Sequence, residues 1–374
     1  MPYGPRSTSD LVQLTGWDAT ALRNFALEDG TTYATIVQLM SAGLGALNAE
    51  LYNDALISSL VGYSDEPTVE YRTGASNGFE EHTEFGRADP KRADTDGHMI
   101  PLRSFDRMLG WTWDYIRKAR MSQIDADIAD AMKDARDLFS VRLLRRAFTR
   151  GDDSGLGLGL GSAGYSPGFA TAAANTNVDF IPPSFGGTAF TSAHEHYVGA
   201  AGGAWTTAIL LDKAAELREH GHMPPYIGLV SQVDVAEIMA LTGFVPTPNL
   251  TVNYGTGVSL ANFAVNGDEI TPGAYPFGAL YDIMFYAVPR IPTDYGFFYK
   301  SYGANSQRNP LRVRVGRGLS RPLFIAQTDP NAGTGVYPIQ NLMLFTEFGV
   351  GVGDRTNGTA AYVNNANWTD PTIS

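Results

Sequence analysis

Two short histidine motifs, His194-Glu195-His196 and His220-Gly221-His222, hold four of the six histidines in this chain. Imidazole nitrogens are ligands for zinc-type cations, so the four could be drawn together into a metal site. The zinc-protease pattern H-E-x-x-H is absent, because Val198 stands where its second histidine belongs. Turn and helix-end histidines are the preferred reading, and no metal ligand is assigned. Gly159-Leu160-Gly161-Ser162-Ala163-Gly164 matches G-x-G-x-x-G literally. A dinucleotide site needs a strand before that motif and a helix after it, whereas here a helix precedes and Tyr165-Ser166-Pro167 follows. Gly164 to Gly168 matches the nucleophile elbow G-x-S-x-G, but the residue after the serine must donate its amide to an oxyanion, and Pro167 has none. Asp94 and Asp96 before Gly97 resemble a calcium loop, yet Arg92 occupies the first ligand position and Arg103 the twelfth. Arg312 and Arg314 share a strand face, with Arg317 and Arg321 beyond. Lacking interleaved aromatics, they fit ion pairs with acidic neighbours better than a nucleic-acid stripe. No carboxylate pair or Ser/His/Asp set stands out, so no catalytic residue and no cofactor is expected.

Composition narrows the class further. The chain has 374 residues, 44% hydrophobic and 18% charged, with 41 Gly and 21 Pro, as a globular protein rich in turns and long connections would. It has no Cys, which removes disulfides, thiol nucleophiles and Cys-ligated metals, so any staple must be of another kind. A formal charge of −12 disfavours sequence-specific DNA binding. The N-terminus lacks a signal-peptide core and no apolar run approaches a membrane span, so a soluble, non-exported protein is expected. Of 27 Lys and Arg residues only five are Lys, a bias toward the planar fork suited to protein interfaces.

The elements follow from periodicity. Residues 1–30 read as an extended arm, followed from Thr31 by helical spacing through Tyr33, Ile36, Val37, Met40, Leu44, Leu47 and Leu51. Thr68–Arg72 and Phe79–Phe85 alternate like strands, and the charged run Arg87–Asp96 reads as a tip. A segment of that kind cannot bury much of itself, which predicts a projecting hairpin over 63–104. The strongest helix spans 122–150. Ser122 with Asp125 suggests a capping box, and Ile124, Ile128, Ala131, Ala135, Leu138 and Phe139 make its apolar stripe. A Gly-rich connection runs from Asp152 to Gly187. Further elements are a helix over Thr206–His220, a strand at Tyr226–Val230, a helix near Val233–Leu241, and strands at Ile283–Val288, Gly296–Tyr299, Leu311–Val315 and Ile339–Phe348.

This order of parts resembles the major capsid proteins of tailed phages, with the Hong Kong 97 or Johnson fold. Gln123–Arg150 looks like the spine helix, Tyr226-Ile227-Gly228-Leu229-Val230-Ser231 through Leu241 like the opening of the axial domain, and Leu342 to Arg355 like the returning peripheral strand that ends in a D-R turn. The resemblance implies an α+β fold with an arm (1–62), an extended hairpin (63–104), a peripheral domain (105–223) with spine helix 122–150, an axial domain (224–334), and returning strands with a tail (335–374). It implies a non-catalytic shell subunit that forms hexamers and pentamers around phage double-stranded DNA. Portal and scaffold or decoration proteins would be partners, and no membrane is involved. The location would be the virion, after assembly in the host cytoplasm. No removable N-terminal scaffold segment is expected. Arg87, Lys91, Arg92, Asp94, Asp96, Asp354 and Arg355 are the expected inter-subunit contacts. Some family members link a hairpin lysine to a neighbour's asparagine; Lys91 could serve, but Tyr337 stands near the acceptor place, so non-covalent ion pairs are expected. An encapsulin-type compartment and a histidine-dependent metalloprotein are the alternatives.

Overall fold

The computed structural model describes residues 27–73, 94–152, 166–170, 180–246, 253–254, 258–259, 274–316, 324–328 and 339–373. In chain order the helices are α1 (Tyr33–Asn53), α2 (Ala55–Leu60), α3 (Trp113–Lys118), α4 (Met121–Phe148), α5 (Thr207–Glu219) and α6 (Val235–Met239). The strands are β1 (Val61–Ser64), β2 (Thr68–Thr73), β3 (Asp94–Met99), β4 (Arg103–Thr112), β5 (Tyr197–Gly199), β6 (Tyr226–Ser231), β7 (Phe244–Pro246) and β8 (Asn253–Tyr254). They continue with β9 (Val258–Ser259), β10 (Tyr275–Leu280), β11 (Ile283–Val288), β12 (Tyr295–Tyr299), β13 (Leu311–Val315), β14 (Phe324–Thr328), β15 (Ile339–Val352) and β16 (Thr359–Tyr362). The chain divides into two compact units, one of residues 1–51, 102–138 and 315–348, the other of 52–101, 139–314 and 349–374. Among the described residues no helix is long and apolar enough to cross a membrane.

In the first unit β15 lies between β4 and β14, antiparallel to both, with Arg103 opposite Phe348 and Thr112 opposite Ile339. Three-and-four spacing buries Ile36, Met40, Leu44, Leu47 and Leu51 of α1 and Ile124, Ala131 and Ala135 of α4. Gly43 permits the close approach, since a Cβ there would meet Met132 Cε at 3.3 Å. Polar groups set the register: Arg136 pairs with Glu50 at 2.8 Å, and Asn48 exchanges two hydrogen bonds with the Phe324 backbone. The acidic side of α4 faces β4, where Trp111 donates to Asp127 at 2.8 Å and Arg107 bridges Asp130 and Asp134. The start of α4 differs from expectation. It begins at Met121, whose amide donates to Asp29 at 2.7 Å, while Gln123 Oε1 accepts the Arg120 amide, so Ser122 lies inside the first turn and is not the cap. The Met121 bond, with those from Thr31, holds the Asp29 carboxyl below the usual carboxylate range.

The second unit is built on a seven-stranded sheet ordered β5-β16-β12-β6-β11-β10-β7. β6 runs parallel to β11 and antiparallel to β12. Every residue of β6, β11 and β12 is buried, which explains why they read as unbroken apolar runs. Helix α5 covers the sheet through Leu210, Ala214 and Leu217, packed in one cluster with Trp205, Phe285 and Phe298. Its Thr206 cap accepts the Ile209 amide. The end of α4 also lies here, with buried Arg146 donating to the carbonyls of Ser166, Thr149 and Gly151. Ser166, from the G-x-S-x-G match, is buried and its Oγ accepts the Val352 amide, a structural role. Arg312 and Arg314 donate to the carbonyls of Gln307 and Ile100, so backbone oxygens are their hydrogen-bond acceptors where acidic side chains were expected.

The hairpin is present at its base, with β2 and β3 antiparallel and Thr68 opposite Met99. Its return strand is Asp94–Met99, part of which the sequence reading assigned to the charged tip. The Phe79–Phe85 strand lies outside the described residues, as does the G-x-G-x-x-G match. Val69 and His98 anchor the base in the interior, and His98 Nε2 lies 2.9 Å from the Val352 carbonyl, to which it donates. The glycines of 349–353 reflect close backbone approach. A Cβ on Gly349 would lie 2.2 Å from Pro101 O, and one on Gly351 2.6 Å from Ile100 Cγ1.

Gly351→Val is expected to cost about 1–3 kcal/mol through overpacking, read from chemical denaturation; unchanged stability would refute the close approach. Burial, with the Arg355 charge behind it, pushes the His98 imidazole down to about 3. The unfolded chain binds that proton below pH ~6.5 and the folded chain does not until about 3, so stability falls as pH drops through that window. Between pH 7 and 5 the loss attributable to His98 is about 2 kcal/mol, and His98→Gln should flatten the pH dependence by that amount.

Candidate functional site

The residues expected at subunit contacts do not behave alike. Arg87, Lys91 and Arg92 lie outside the described residues, as does Tyr337. Asp94 and Asp96 fall in β3, opposite Thr73 and Tyr71, and the exposed Asp96 accepts its neighbour Gly97 amide at 2.7 Å. Asp354 turns the chain after β15, its Oδ1 accepting the Thr356 amide at 3.0 Å and hydroxyl at 2.7 Å. Arg355 is only 1% exposed. It donates to Gly168 O at 3.1 Å and Tyr71 OH at 3.0 Å, and its guanidinium lies 4.4 Å from the Phe180 ring centroid. Those acceptors and the ring face stand in for lost water, so Arg355 joins the hairpin base to the rest of its own chain.

The same turn runs into the histidines. Asn357 is buried and bonds the backbones of Lys300 and Arg308. Gly358 O lies 2.7 Å from His196 Nδ1, and Thr359 Oγ1 donates to His196 O at 3.1 Å. His194 and His196 come from the segment leading into β5, and His220 is the C-cap of α5. Their Nε2 atoms converge: His194 to His196 is 3.0 Å, and each lies 2.9 Å from His220. Glu219 Oε1 stands 3.2 Å from His194 Nε2 and 3.8 Å from His220 Nε2. The Phe190 ring flanks two of the imidazoles, with centroids 4.8 Å from His194 and 4.4 Å from His220. Burial lowers all three proton affinities, His220 down to about 3 and His196 well below its usual value, so the rings are neutral at neutral pH.

The fourth histidine of the two motifs is not in this group. Gly221 has φ +84°, which turns the chain so that His222 leaves its neighbour His220. His222 meets Tyr302 OH at 2.7 Å and Thr356 Oγ1 at 2.9 Å. Glu219, which the sequence reading did not single out, stands where that reading put His222; the one available signal was a carboxylate next to a helix-end histidine.

No protein-family model and no curated protein sequence matches the chain. Among solved structures, a chain from Mycobacterium phage Patience is similar at 18% identity over 93% of both chains, with a TM-score of 0.63. A chain of the bacteriophage PhiM1 mature capsid is 13% identical over 83% of this chain and 87% of that one, with a TM-score of 0.48. A capsid chain of a native GTA particle is 13% identical over 85% and 90%, with a TM-score of 0.47. The similarity to the Patience chain extends over nearly the whole of both chains, and the fold is accordingly α+β and of the Hong Kong 97 type.

Proposed function

We propose that the chain is a shell subunit, the major capsid protein of a tailed phage, forming hexamers and pentamers that close around packaged double-stranded DNA without catalysing a reaction. The observation that carries this reading is the fold shared with the Mycobacterium phage Patience chain along 93% of both lengths. The physics of the hairpin supports it. β2 and β3 form a separate two-stranded sheet, a unit of marginal stability by itself. Exposed apolar side chains, Met99 at the hairpin base and Met108 on β4, suit surfaces that neighbouring copies cover. A formal charge of −12 keeps such a wall from adhering to its nucleic-acid cargo. In this reading residues 63–104 are the extended loop, 105–223 the peripheral domain and 224–334 the axial domain. Arg87, Lys91, Arg92, Asp94 and Asp96 make contacts between copies. Portal and scaffold or decoration proteins are partners, and the site of action is the virion.

Purified full-length chain should form rings or closed shells in light scattering and electron micrographs; a monodisperse compact monomer at every concentration would defeat the proposal. Particles that co-purify with a packaged enzyme, and not with DNA-packaging components, would move the assignment to an encapsulin-type compartment. Replacing residues 74–93 by a short turn should leave the circular dichroism spectrum of the subunit unchanged while abolishing closed shells. Normal shells from that variant would remove the hairpin from the assembly mechanism.

A further inference from the structure

We propose that His194, His196, His220 and Glu219 form a structural site for one divalent transition cation of the zinc class. This goes beyond the shell reading and does not depend on it. The four ligand atoms, one from each residue, all lie within 4.8 Å of one another.

The three imidazoles cannot satisfy one another. A neutral ring nitrogen is either a donor or an acceptor. Gly358 O can only accept, so the 2.7 Å contact places the His196 proton on Nδ1 and leaves a lone pair on Nε2. Three Nε2 atoms sit at mutual distances of 2.9–3.0 Å. If His194 and His220 both carry Nε2 protons, those two protons oppose each other; if either lacks one, its lone pair faces that of His196. At least one of the three pairings is therefore repulsive in every neutral tautomer. Protonating a ring is opposed by burial. A cation between the rings converts the conflict into three bonds, because each Nε2 can then present a lone pair to the same centre.

The donor set also selects the ion. Three imidazoles and one carboxylate suit zinc, and a hard oxygen-seeking cation such as magnesium or calcium would find too few oxygens. Tetrahedral coordination at ~2.0–2.1 Å requires ligand–ligand edges of roughly 3.3 Å, so the rings need spread by only a few tenths of an ångström. His196 already has the outer-shell support typical of a ligand, its Nδ1–H bonded to a carbonyl. Four protein ligands close the coordination sphere, the pattern of a structural and not a catalytic site. Nearby Lys213 does not take the cation's place: its ammonium is paired with the buried Glu216 and with Asp212.

The test is titration of the chelator-treated full-length chain with cobalt(II), followed by elemental analysis after exchange into zinc. One equivalent per chain with the visible absorption of tetrahedral cobalt is expected, lost in His196→Ala and retained in His222→Ala, whose ring lies outside the group. Zinc should also raise the melting temperature of the wild type and not of His196→Ala. No saturable uptake by the wild type, an octahedral cobalt spectrum, or an undiminished band in His196→Ala would overturn the site. If His196→Ala does not fold, Glu219→Gln decides. An affinity reduced about tenfold or more is expected from loss of a ligand, and an unchanged affinity overturns the four-ligand assignment.

Discussion

Burying a guanidinium is costly unless its N–H groups find acceptors, and Arg355 offsets that cost through Nε to the Gly168 carbonyl, Nη1 to the Tyr71 hydroxyl, and the face of Phe180. The stretch around it serves the whole second unit in the same way. Val352 O receives His98 from the hairpin, Asn357 bonds Lys300 and Arg308, Gly358 O fixes the tautomer of His196, and Thr359 is the first residue of β16. Residues 352–359 thus act as a polar hub, and the glycines just before it let the backbone come near enough to reach its partners.

The two units are held by different chemistry. In the first, long apolar faces of α1 and α4 are buried, while Arg107, Trp111 and Arg136 fix their surroundings through carboxylates of α4 and α1. Arg107 and its acidic partners are substantially exposed, so those pairs set geometry more than they add stability. In the second, strands buried on both faces supply the core, and α5 with Ile238 of α6 completes it.

Much of this was legible where local pattern and tertiary setting agree. Ile283–Val288 and Leu311–Val315 match the observed strands, since a bounded apolar run and an alternating Arg/Val run leave little choice of structure. The failures come from partners distant in sequence. Ser122 looked like a cap, but the carboxylate that accepts the first amide of the helix, that of Met121, belongs to Asp29. Asp94-Thr95-Asp96-Gly97-His98-Met99 has poor strand propensity and becomes a strand because β2 pairs with it and His98 is buried. Arg355 read as a surface residue because no spacing rule reveals that Tyr71 and Phe180 close over it. The histidines were singled out by type; their selection into three and one follows from the backbone at Gly221, and Glu219 joins by position at the end of α5.

His194 and His220 are 26 positions apart, and between them lie β5 and all of α5. A cation tying those ends together would close a loop containing the helix that lids the central sheet, and closure of that length removes about 3.5 kcal/mol of disorder from the unfolded chain. A polypeptide without sulfur cross-links would in this way own a clasp indifferent to the redox state of its surroundings, one that opens when acid protonates its imidazoles or a competitor strips its ion away.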